Sequence, residues 1–418
     1  MLDIKFIREN KELVKKGARD KGVIVDIEKL LRLDEKRRDL ISEIETMRAE
    51  QKKLGDVRKA KLLKTAAKKF QAELDKVNVE YQQLMYQVPN LPAKDVPIGK
   101  DESGNKVLRK WTPQNLRSRG TQPAKLSFRP KDHLELGETL NLIDVKNAAK
   151  VSGARFSYLK NEAVLLEFAL AQYAFEILAK EGFKPISPPV LISSKMMEAM
   201  GYLEHGGEQE TYHFPKDNMY LVGTGEQSVG PMHAGEVLEE KELPLRYIAF
   251  STCFRREAGS YGKDTRGIFR VHQFDKLEMF SFATPETGDK EHEFLLSLQE
   301  KLMRGLELPY QVVKMCTADL GDPAARKYDI ETWLPSQGKY RETHSASLCT
   351  DFQARRLNIK YKKPQGKPEF VYTLNGTAFA IGRTLIAILE NYQTAIGSIK
   401  VPKVLQQYMN GIKEIKRK

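Results

Sequence analysis

Residues 252–282 read TCFRREAGSYGKDTRGIFRVHQFDKLEMFSF and decide the fold of the larger part of the chain. Two β-like runs, at the two ends of this stretch, enclose a polar loop rich in glycine, arginine and lysine. A hairpin of this composition can hold a triphosphate, because planar guanidinium groups neutralise phosphate charge and glycine lets the backbone approach closely. A basic surface loop without a ligand has the same composition, so the stretch alone leaves both interpretations open.

Residues 371–393, VYTLNGTAFAIGRTLIAILENYQ, carry a second pattern of interest. A strand is followed by Asn375-Gly376, which predicts a turn, and then by an apolar run that predicts a helix over 378–392. Arg383 falls in the first turns of that helix, beside small residues. It either faces solvent there or lies flat over a ring or against a phosphate.

The predicted fold class is α+β. Apolar helices at 163–180, 287–305 and 378–392 are separated by short β-rich runs. A connector rich in proline, glycine and polar residues spans 89 to about 130, and we place the domain boundary there, between residues 1–110 and residues 111–418.

The N-terminal part predicts a helical hairpin at about 28–88. Apolar residues repeat at steps of three and four in two runs, which begin at Leu30 and Leu63, as in the a and d positions of heptads. Gly55-Asp56 predicts the turn between the runs, and Pro89 ends the second helix. About 26 residues per helix give an arm roughly 40 Å long.

The distal half of this arm carries an excess of positive charge, in the residues Arg48, Lys52, Lys53, Arg58, Lys59, Lys61, Lys64, Lys68 and Lys69. Heptads alone are equally typical of a solvated coiled-coil surface. An excess of one sign with few acids among it is what binding to a nucleic-acid backbone requires.

Composition agrees with such a partner but does not identify it. The chain has 418 residues and a formal net charge of +13, which favours polyanionic partners. Its three cysteines show no zinc-ligand spacing, so we expect reduced cysteines and no zinc site. We expect no membrane span, because Glu167 and Glu176 interrupt the most apolar stretch, and a start without an apolar signal predicts a cytoplasmic protein.

Several motifs together resemble one enzyme family. The hairpin at 252–282 resembles motif 2 of class II aminoacyl-tRNA synthetases, Asn375 to Arg383 resembles motif 3, and GFKPISPPVL (182–191) resembles the dimer-forming motif 1. Within that class, the chain is similar to bacterial-type seryl-tRNA synthetases in RREAGSYGKDTRGIFRVHQFDKLEMF, in LCTDFQARRLNIKY, in its opening MLDIKFIREN and in HLELGETLNLIDVKNAAKVSGARF. The resemblance covers about residues 1–410, with these motifs in the family's order.

The resemblance implies a class II core, an antiparallel sheet flanked by helices, with a tRNA-binding coiled-coil arm. It assigns catalysis to Arg255, Glu278 and Arg383, with Arg255 at the α-phosphate of ATP. Phe274 would stack on the adenine with Arg383 on its other face. The implied ATP-binding residues are Arg255, Arg256, Glu257, Val271, Phe274, Glu342, Thr343, His344, Ser345 and Arg383. Those for serine are Thr224, Gly225, Glu226, Glu278 and Thr377.

The same resemblance implies Mg²⁺ held by Glu342 and Ser345, and tRNA contacts by Lys52, Lys53, Arg58, Lys59, Lys61 and Lys64. The implied reaction forms seryl-adenylate and pyrophosphate from L-serine and ATP, and then transfers serine to the 3′ end of tRNA(Ser). Bacterial relatives also serylate tRNA(Sec). A homodimer is implied, in which the arm of one subunit guides tRNA into the active site of the other.

Three short segments depart from the family's usual letters. Thr-Ala-Glu becomes Thr224-Gly225-Glu226, Glu-Ile-Ser-Ser becomes Glu342-Thr343-His344-Ser345, and Asn-Gly-Ser becomes Asn375-Gly376-Thr377. The charged end residues keep their types, so the departures bear on the shape of the serine pocket more than on ATP or Mg²⁺.

Two other functions stay open at this stage. A ligase that forms seryl-adenylate and passes serine to a non-tRNA carrier would share this core, but would lack the basic arm. A non-catalytic paralogue would be expected to lose Arg255, Glu257, Glu278 or Arg383, and all four are present.

Overall fold

A computed structural model describes residues 1–116, 123, 126–259, 264 and 266–417. The chain divides into two compact units, Met1–Leu91 and Pro92–Lys418. The boundary drawn at residue 110 stays a prediction, whereas the compact units divide at Leu91, before the strand Lys106–Trp111 that pairs within the larger unit. In the described ranges, no helix combines the length and the apolar character that crossing a membrane requires.

The first unit contains the predicted hairpin arm, and this prediction is confirmed. Its helices are α1 (Ile4–Glu9), α2 (Lys11–Asp20), α3 (Ile27–Lys53) and α4 (Val57–Gln87). Helix α4 begins where predicted, because the Asp56 carboxylate accepts hydrogen bonds from the backbone N–H groups of Arg58 and Lys59. Four residues at heptad positions form the buried seam between the long helices: Leu40, Ile44, Leu74 and Val77.

The second unit is built on one large sheet. Its helices are α5 (His133–Thr139), α6 (Val145–Ser152), α7 (Glu162–Lys180), α8 (Ser194–Met200), α9 (Gly207–Glu210), α10 (Glu226–Val229), α11 (Gly288–Gly305), α12 (Phe352–Leu357) and α13 (Ile381–Asn391). Its strands are β1 (Lys106–Trp111), β2 (Ile143–Asp144), β3 (Tyr158–Leu159), β4 (Lys184–Ile186), β5 (Leu191–Ser193), β6 (His213–Phe214), β7 (Met219–Leu221), β8 (Val237–Glu239), β9 (Leu245–Phe254), β10 (Gln273–Ala283), β11 (Tyr310–Lys314), β12 (Arg326–Leu334), β13 (Lys339–Leu348), β14 (Lys360–Lys362), β15 (Glu369–Phe370), β16 (Tyr372–Ala380), β17 (Ile399–Lys400) and β18 (Glu414–Ile415).

In the described residues the large sheet has the strand order β1-β11-β12-β13-β16-β10-β9-β4. Its pairs are antiparallel except for β4 with β9, which are parallel. Helices α7, α11 and α13 pack with the sheet in one apolar core. The α+β class with a mainly antiparallel sheet and an N-terminal helical arm is therefore confirmed.

The side-chain alternation of the strands separates this core from a polar face. On β10, Leu277 and Met279 lie in the core, whereas Lys276 borders a polar cavity and Glu278 lies beside Lys276. Successive side chains of a strand point to opposite faces, so each central strand can serve both the core and a site.

The turn predicted at Asn375-Gly376 is wrong. Strand β16 runs unbroken from Tyr372 to Ala380, and it pairs with both β10 and β13 through these two residues. Packing around this glycine is close: a Cβ on Gly376 would lie 3.3 Å from Met279 Cε and 3.4 Å from Gln299 Nε2. Helix α13 accordingly begins at Ile381 rather than at 378.

Candidate active site

A cavity of 240 Å³ opens on the polar face of the large sheet, where β10, β12, β13 and β16 contribute side chains. Ten residues singled out from the sequence border it: Glu226, Arg255, Glu257, Val271, Phe274, Glu342, Thr343, Ser345, Thr377 and Arg383. Thr224 borders an adjoining cavity that shares Arg255, Glu257, Glu342 and Arg383 with the first. Residues from four distant parts of the sequence therefore meet at one place.

Arg255 stands where β9 ends. Its Nε donates a hydrogen bond to the carbonyl of Gly223 at 3.0 Å, and its guanidinium carbon lies 5.3 Å from the centroid of the Phe274 ring. Arg255 borders the cavity, where its guanidinium group can meet an anion.

Arg383, in the first turn of α13, completes the cationic wall. Its Nη1 lies 3.1 Å from Glu342 Oε2 and donates to the Glu342 carbonyl at 3.2 Å. Withdrawal from water raises the pKa of Glu342, but the cations of Arg383 and Lys327 outweigh that effect and lower the pKa to about 2. Glu342 is therefore ionised at neutral pH.

The aromatic neighbour of Arg383 in the structure is Phe269, and the stacking of adenine between Phe274 and Arg383 stays a prediction. The guanidinium carbon of Arg383 lies 4.8 Å from the centroid of Phe269, and that of Arg341 lies 4.0 Å from the same centroid. Phe269 also borders the cavity and was not predicted from the sequence. Its position two residues before Val271, in the same returning segment, is the signal that could have found it.

A buried charge cluster forms the inner end of the site. The Nζ of Lys276 lies 2.6 Å from Glu278 Oε2 and donates to Thr224 Oγ1 at 3.1 Å. Glu278 is 1% exposed and lies behind Lys276 rather than in the cavity lining. Burial raises the pKa of Glu278 to about 7, although Lys276 opposes this shift.

Tyr202 and Lys276 are functional candidates that the sequence analysis missed. The Tyr202 hydroxyl donates to Glu226 Oε1 at 2.8 Å, and both residues border the two cavities. Burial raises the pKa of Glu226, with Lys276 and Tyr202 acting in the opposite direction. Lys276 had a signal, because it precedes Glu278 by two residues on one strand and so faces the same way. Tyr202 had none, since it arrives from a distant segment.

Three further predicted residues do not border either cavity. Arg256 turns away, with its Nε donating to the Thr211 carbonyl at 2.8 Å. His344 is 1% exposed and lies edge-on to Phe379 at 5.8 Å in the core, where burial lowers its pKa to about 3. Gly225 fits tightly, because a Cβ there would lie 3.3 Å from the Cβ of Ala249.

Other predicted features lie elsewhere or outside the described residues. Residues 260–263 and 265 of the loop in 252–282 lie outside them. The six arm residues predicted to contact tRNA are all exposed around the turn between α3 and α4: Lys52, Lys53, Arg58, Lys59, Lys61 and Lys64. A search of the described ranges finds no group of three or more His, Cys, Asp or Glu side chains placed to hold a metal ion.

Known proteins match this chain over its whole length, and all of these matches point to one family. Residues 1–92 match the Seryl-tRNA synthetase N-terminal domain, and residues 211–392 match the tRNA synthetase class II core domain (G, H, P, S and T). The chain is 43% identical to a Serine--tRNA ligase of Dictyoglomus thermophilum over 434 aligned residues, covering 100% of both proteins. It is 44% identical to a Serine--tRNA ligase of Streptomyces coelicolor over 425 residues, covering 98% of each.

Solved structures give the same result. The seryl-tRNA synthetase of Pyrococcus horikoshii, crystallised with ATP, has a TM-score of 0.91 and 39% identity, with 100% of both chains covered. A prolyl-tRNA synthetase of Giardia lamblia, at 18% identity and a TM-score of 0.58, shares the fold alone. Because full-length relatives match at this identity, the chain belongs to the seryl-tRNA synthetase family.

Proposed function

We propose that the enzyme joins L-serine to ATP in the cavity of the large sheet and then transfers serine to the 3′ end of tRNA(Ser). The observation that carries the proposal is the meeting of Arg255, Glu342 and Arg383 beside the cluster of Lys276, Glu278 and Thr224. The first group suits a nucleotide, and the second suits a small amino acid with a hydroxyl group.

In the first step, a carboxylate oxygen of serine attacks the α-phosphorus of ATP. A new P–O bond forms, the bond to the β-phosphate oxygen breaks, and pyrophosphate leaves with the electron pair. Both reactants are anionic, so the site must neutralise charge and fix the line of attack. Arg255 and Arg383 supply fixed positive charge, and no protein nucleophile is required.

Serine selection follows from the buried polar cluster. Glu226 and Glu278 offer acceptors, and Thr224 and Thr377 offer hydroxyl groups beside them. Alanine would leave these groups unpaired, and a site built to hydrogen-bond a hydroxyl discriminates by about 10⁴-fold or more. Threonine is harder to reject, since one methyl group changes binding by only about 1–3 kcal/mol.

The residues present fit Mg²⁺. Glu342 is ionised, Ser345 presents its hydroxyl in the same cavity, and Mg²⁺ usually takes one or two protein oxygens together with substrate phosphates and water. Glu342 and Ser345 would hold the ion. When bound, Mg²⁺ would offset phosphate charge.

The arm supports transfer to tRNA. In the second step, the oxygen of a terminal ribose hydroxyl of tRNA attacks the carbonyl carbon of seryl-adenylate and forms the ester, while the hydroxyl proton is released to solvent. The bond from that carbon to the phosphate oxygen breaks, and AMP leaves with the electron pair. The exposed cations around the α3–α4 turn suit a phosphate backbone, and this is what argues against a non-tRNA carrier. tRNA(Sec) is proposed as a second substrate on the family resemblance alone.

We also propose a homodimer working in the cytoplasm. Strand β4 lies in the stretch 182–191 that resembles motif 1, and the preceding helix α7 carries the exposed apolar residues Leu165 and Phe168, which are 36% and 55% exposed. Large apolar side chains grouped on one exposed face are typical of a protein interface. Sedimentation of the full chain tests this state.

The test of the function is amino-acid-dependent ATP–pyrophosphate exchange with all twenty amino acids, followed by charging of total tRNA. Serine alone should support exchange with Mg²⁺, and tRNA(Ser) should be charged. Exchange without charging would favour a carrier ligase, and the absence of exchange with any amino acid would favour a non-catalytic paralogue.

A further inference from the structure

Glu257 has an unusual backbone conformation next to the nucleotide cavity. Its φ is 51°, in the left-handed region that residues with a Cβ rarely adopt. Its carboxylate borders both cavities and lies 3.0 Å from Arg270 Nη1. A left-handed backbone conformation costs free energy at a residue with a Cβ, so it persists only where contacts with neighbouring residues stabilise it.

Glu210, at the end of α9, contacts the chain on both sides of Glu257. Before it, the backbone N–H of Arg256 donates to the Glu210 carbonyl at 2.9 Å. After it, the N–H groups of Ala258 and Gly259 donate to the two carboxylate oxygens of Glu210, at 3.2 Å and 2.9 Å. Bonds from a carboxylate to backbone N–H groups are among the stronger ones in proteins.

The segment around Glu210 is itself fixed to the same strand end. The Arg256 Nε donates to the carbonyl of Thr211 at 2.8 Å, and its guanidinium carbon lies 4.9 Å from the Tyr212 ring centroid. The Thr211 hydroxyl in turn donates to the Glu208 carbonyl at 2.9 Å. Arg256 therefore does not border either cavity but holds the segment 211–212 against the end of β9.

We propose that Glu210 is a positioning residue for ATP, which holds Glu257 in its left-handed conformation and so presents the Glu257 carboxylate to the nucleotide. The inference rests on the proposed ATP-dependent function and adds a residue to it from a segment outside the three motifs. Glu210 borders the adjoining cavity, but both of its carboxylate oxygens accept from the N–H groups of Ala258 and Gly259, so it acts through Glu257.

The test compares Glu210→Gln with Glu208→Gln, which makes the same change of charge in the same helical turn. Glu208 is exposed and its side chain bonds to Tyr220 rather than to 256–259. Glu210→Gln keeps one acceptor of two, so KM for ATP should rise about tenfold while KM for serine stays within about twofold. Glu210→Asp should fall between the two, and Glu208→Gln should match the unmodified enzyme. Equal rises in both KM values, or no rise, would overturn the proposal.

A double-mutant cycle with Glu257→Gly removes the remaining ambiguity. Glycine adopts positive φ freely and has no carboxylate to position, so adding Glu210→Gln to it should change KM for ATP by less than about twofold. If the increases in KM for ATP caused by the two single substitutions multiplied in the double variant, Glu210 would not act through Glu257. Calorimetric ATP affinity of the same variants gives the answer without serine, so failure of serine-dependent exchange in the unmodified enzyme would count only against the proposed function.

Discussion

The arm and the cavity use the same charged residue types in opposite environments. Around the α3–α4 turn, lysines such as Lys59 and Lys61 are exposed. At the inner end of the cavity, Lys276 and Glu278 behind it are 7% and 1% exposed, with 2.6 Å between their charged atoms. Exposed charges interact weakly with any one partner, whereas removing one member of a buried set leaves the others uncompensated. We therefore expect single substitutions to reduce activity strongly in the cavity, whereas in the arm only the loss of several charged residues together should do so.

Removing the whole arm is the strongest way to separate the two regions. The ends of the arm lie together, since Leu30 and Val88 belong to one apolar cluster, so two glycines can replace residues 30–88. Serine-dependent pyrophosphate exchange should stay within about threefold, while tRNA charging should fall about a thousandfold, on the scale of several lost phosphate contacts. Assays of both activities on one preparation check this, and equal charging by the shortened chain would refute the role of the arm.

Arg255→Ala should have the next largest effect, this time on exchange. The α-phosphate would lose a fixed cation, and removing one such group from a pre-organised site costs about 10²–10³ in rate. Arg58→Ala removes the same side chain from the arm and should leave exchange unchanged. Near-normal exchange in Arg255→Ala would show that the phosphate site is elsewhere.

How far the sequence predicted each region follows from the range of the interactions. The apolar residues of the arm repeat every three or four positions, so heptads predicted its helices and Gly55-Asp56 predicted its turn. On β10, Phe274 and Glu278 followed from motif resemblance, whereas strand alternation could have added Lys276. Tyr202 and Glu210 reach the site from outside the motifs through tertiary packing, which leaves no periodic signal.

The turn predicted at Asn375-Gly376 illustrates the same limit. The dipeptide favours a turn locally, but ladders on both sides of β16 and the close approach of Gln299 from α11 keep it extended. Long-range pairing outweighed local preference there. The buried position of His344 was likewise not readable, since it depends on the face that β13 turns towards Phe379.

Tyr202→Phe should have an intermediate effect within the cavity. The change removes one hydrogen bond to the buried Glu226 and leaves the ring in place. A hydrogen bond to a charged group contributes about 1.5–3 kcal/mol, so KM for serine should rise at least about tenfold, with KM for ATP unchanged. Tyr158→Phe, at an exposed tyrosine, is the control. A rise confined to ATP would place Tyr202 in the nucleotide site.

Glu167→Gln tests how one buried carboxyl group makes the stability of the folded chain depend on pH. Burial, together with the hydrogen bond that protonated Glu167 donates to the neighbouring Asp275 carboxylate, raises the pKa of Glu167 from 4.5 to about 8. Between those values the folded chain keeps a proton that the unfolded chain releases, so this carboxyl lowers stability as pH rises through the window. The variant should match the unmodified protein near pH 4.5 and be about 1–2 kcal/mol more stable at pH 8. Thermal unfolding of both proteins at both pH values measures this difference. A difference in the free energy of unfolding that did not change with pH would contradict the link between stability and the pKa of Glu167.

The smallest effect should come from one arm lysine, Lys61→Gln. Its ammonium group is exposed, so losing it leaves no buried partner uncompensated and removes at most one phosphate contact. KM for tRNA should rise about two- to threefold near physiological salt, and the slope of log KM against log salt should fall by about one. Lys290→Gln, at an exposed lysine of the larger unit, should change neither. A rise in KM for tRNA of tenfold or more that did not depend on salt would mean that Lys61 makes a specific contact. Lys61 would then behave like a residue of the cavity, where single substitutions have large effects, and not like one of many similar charges.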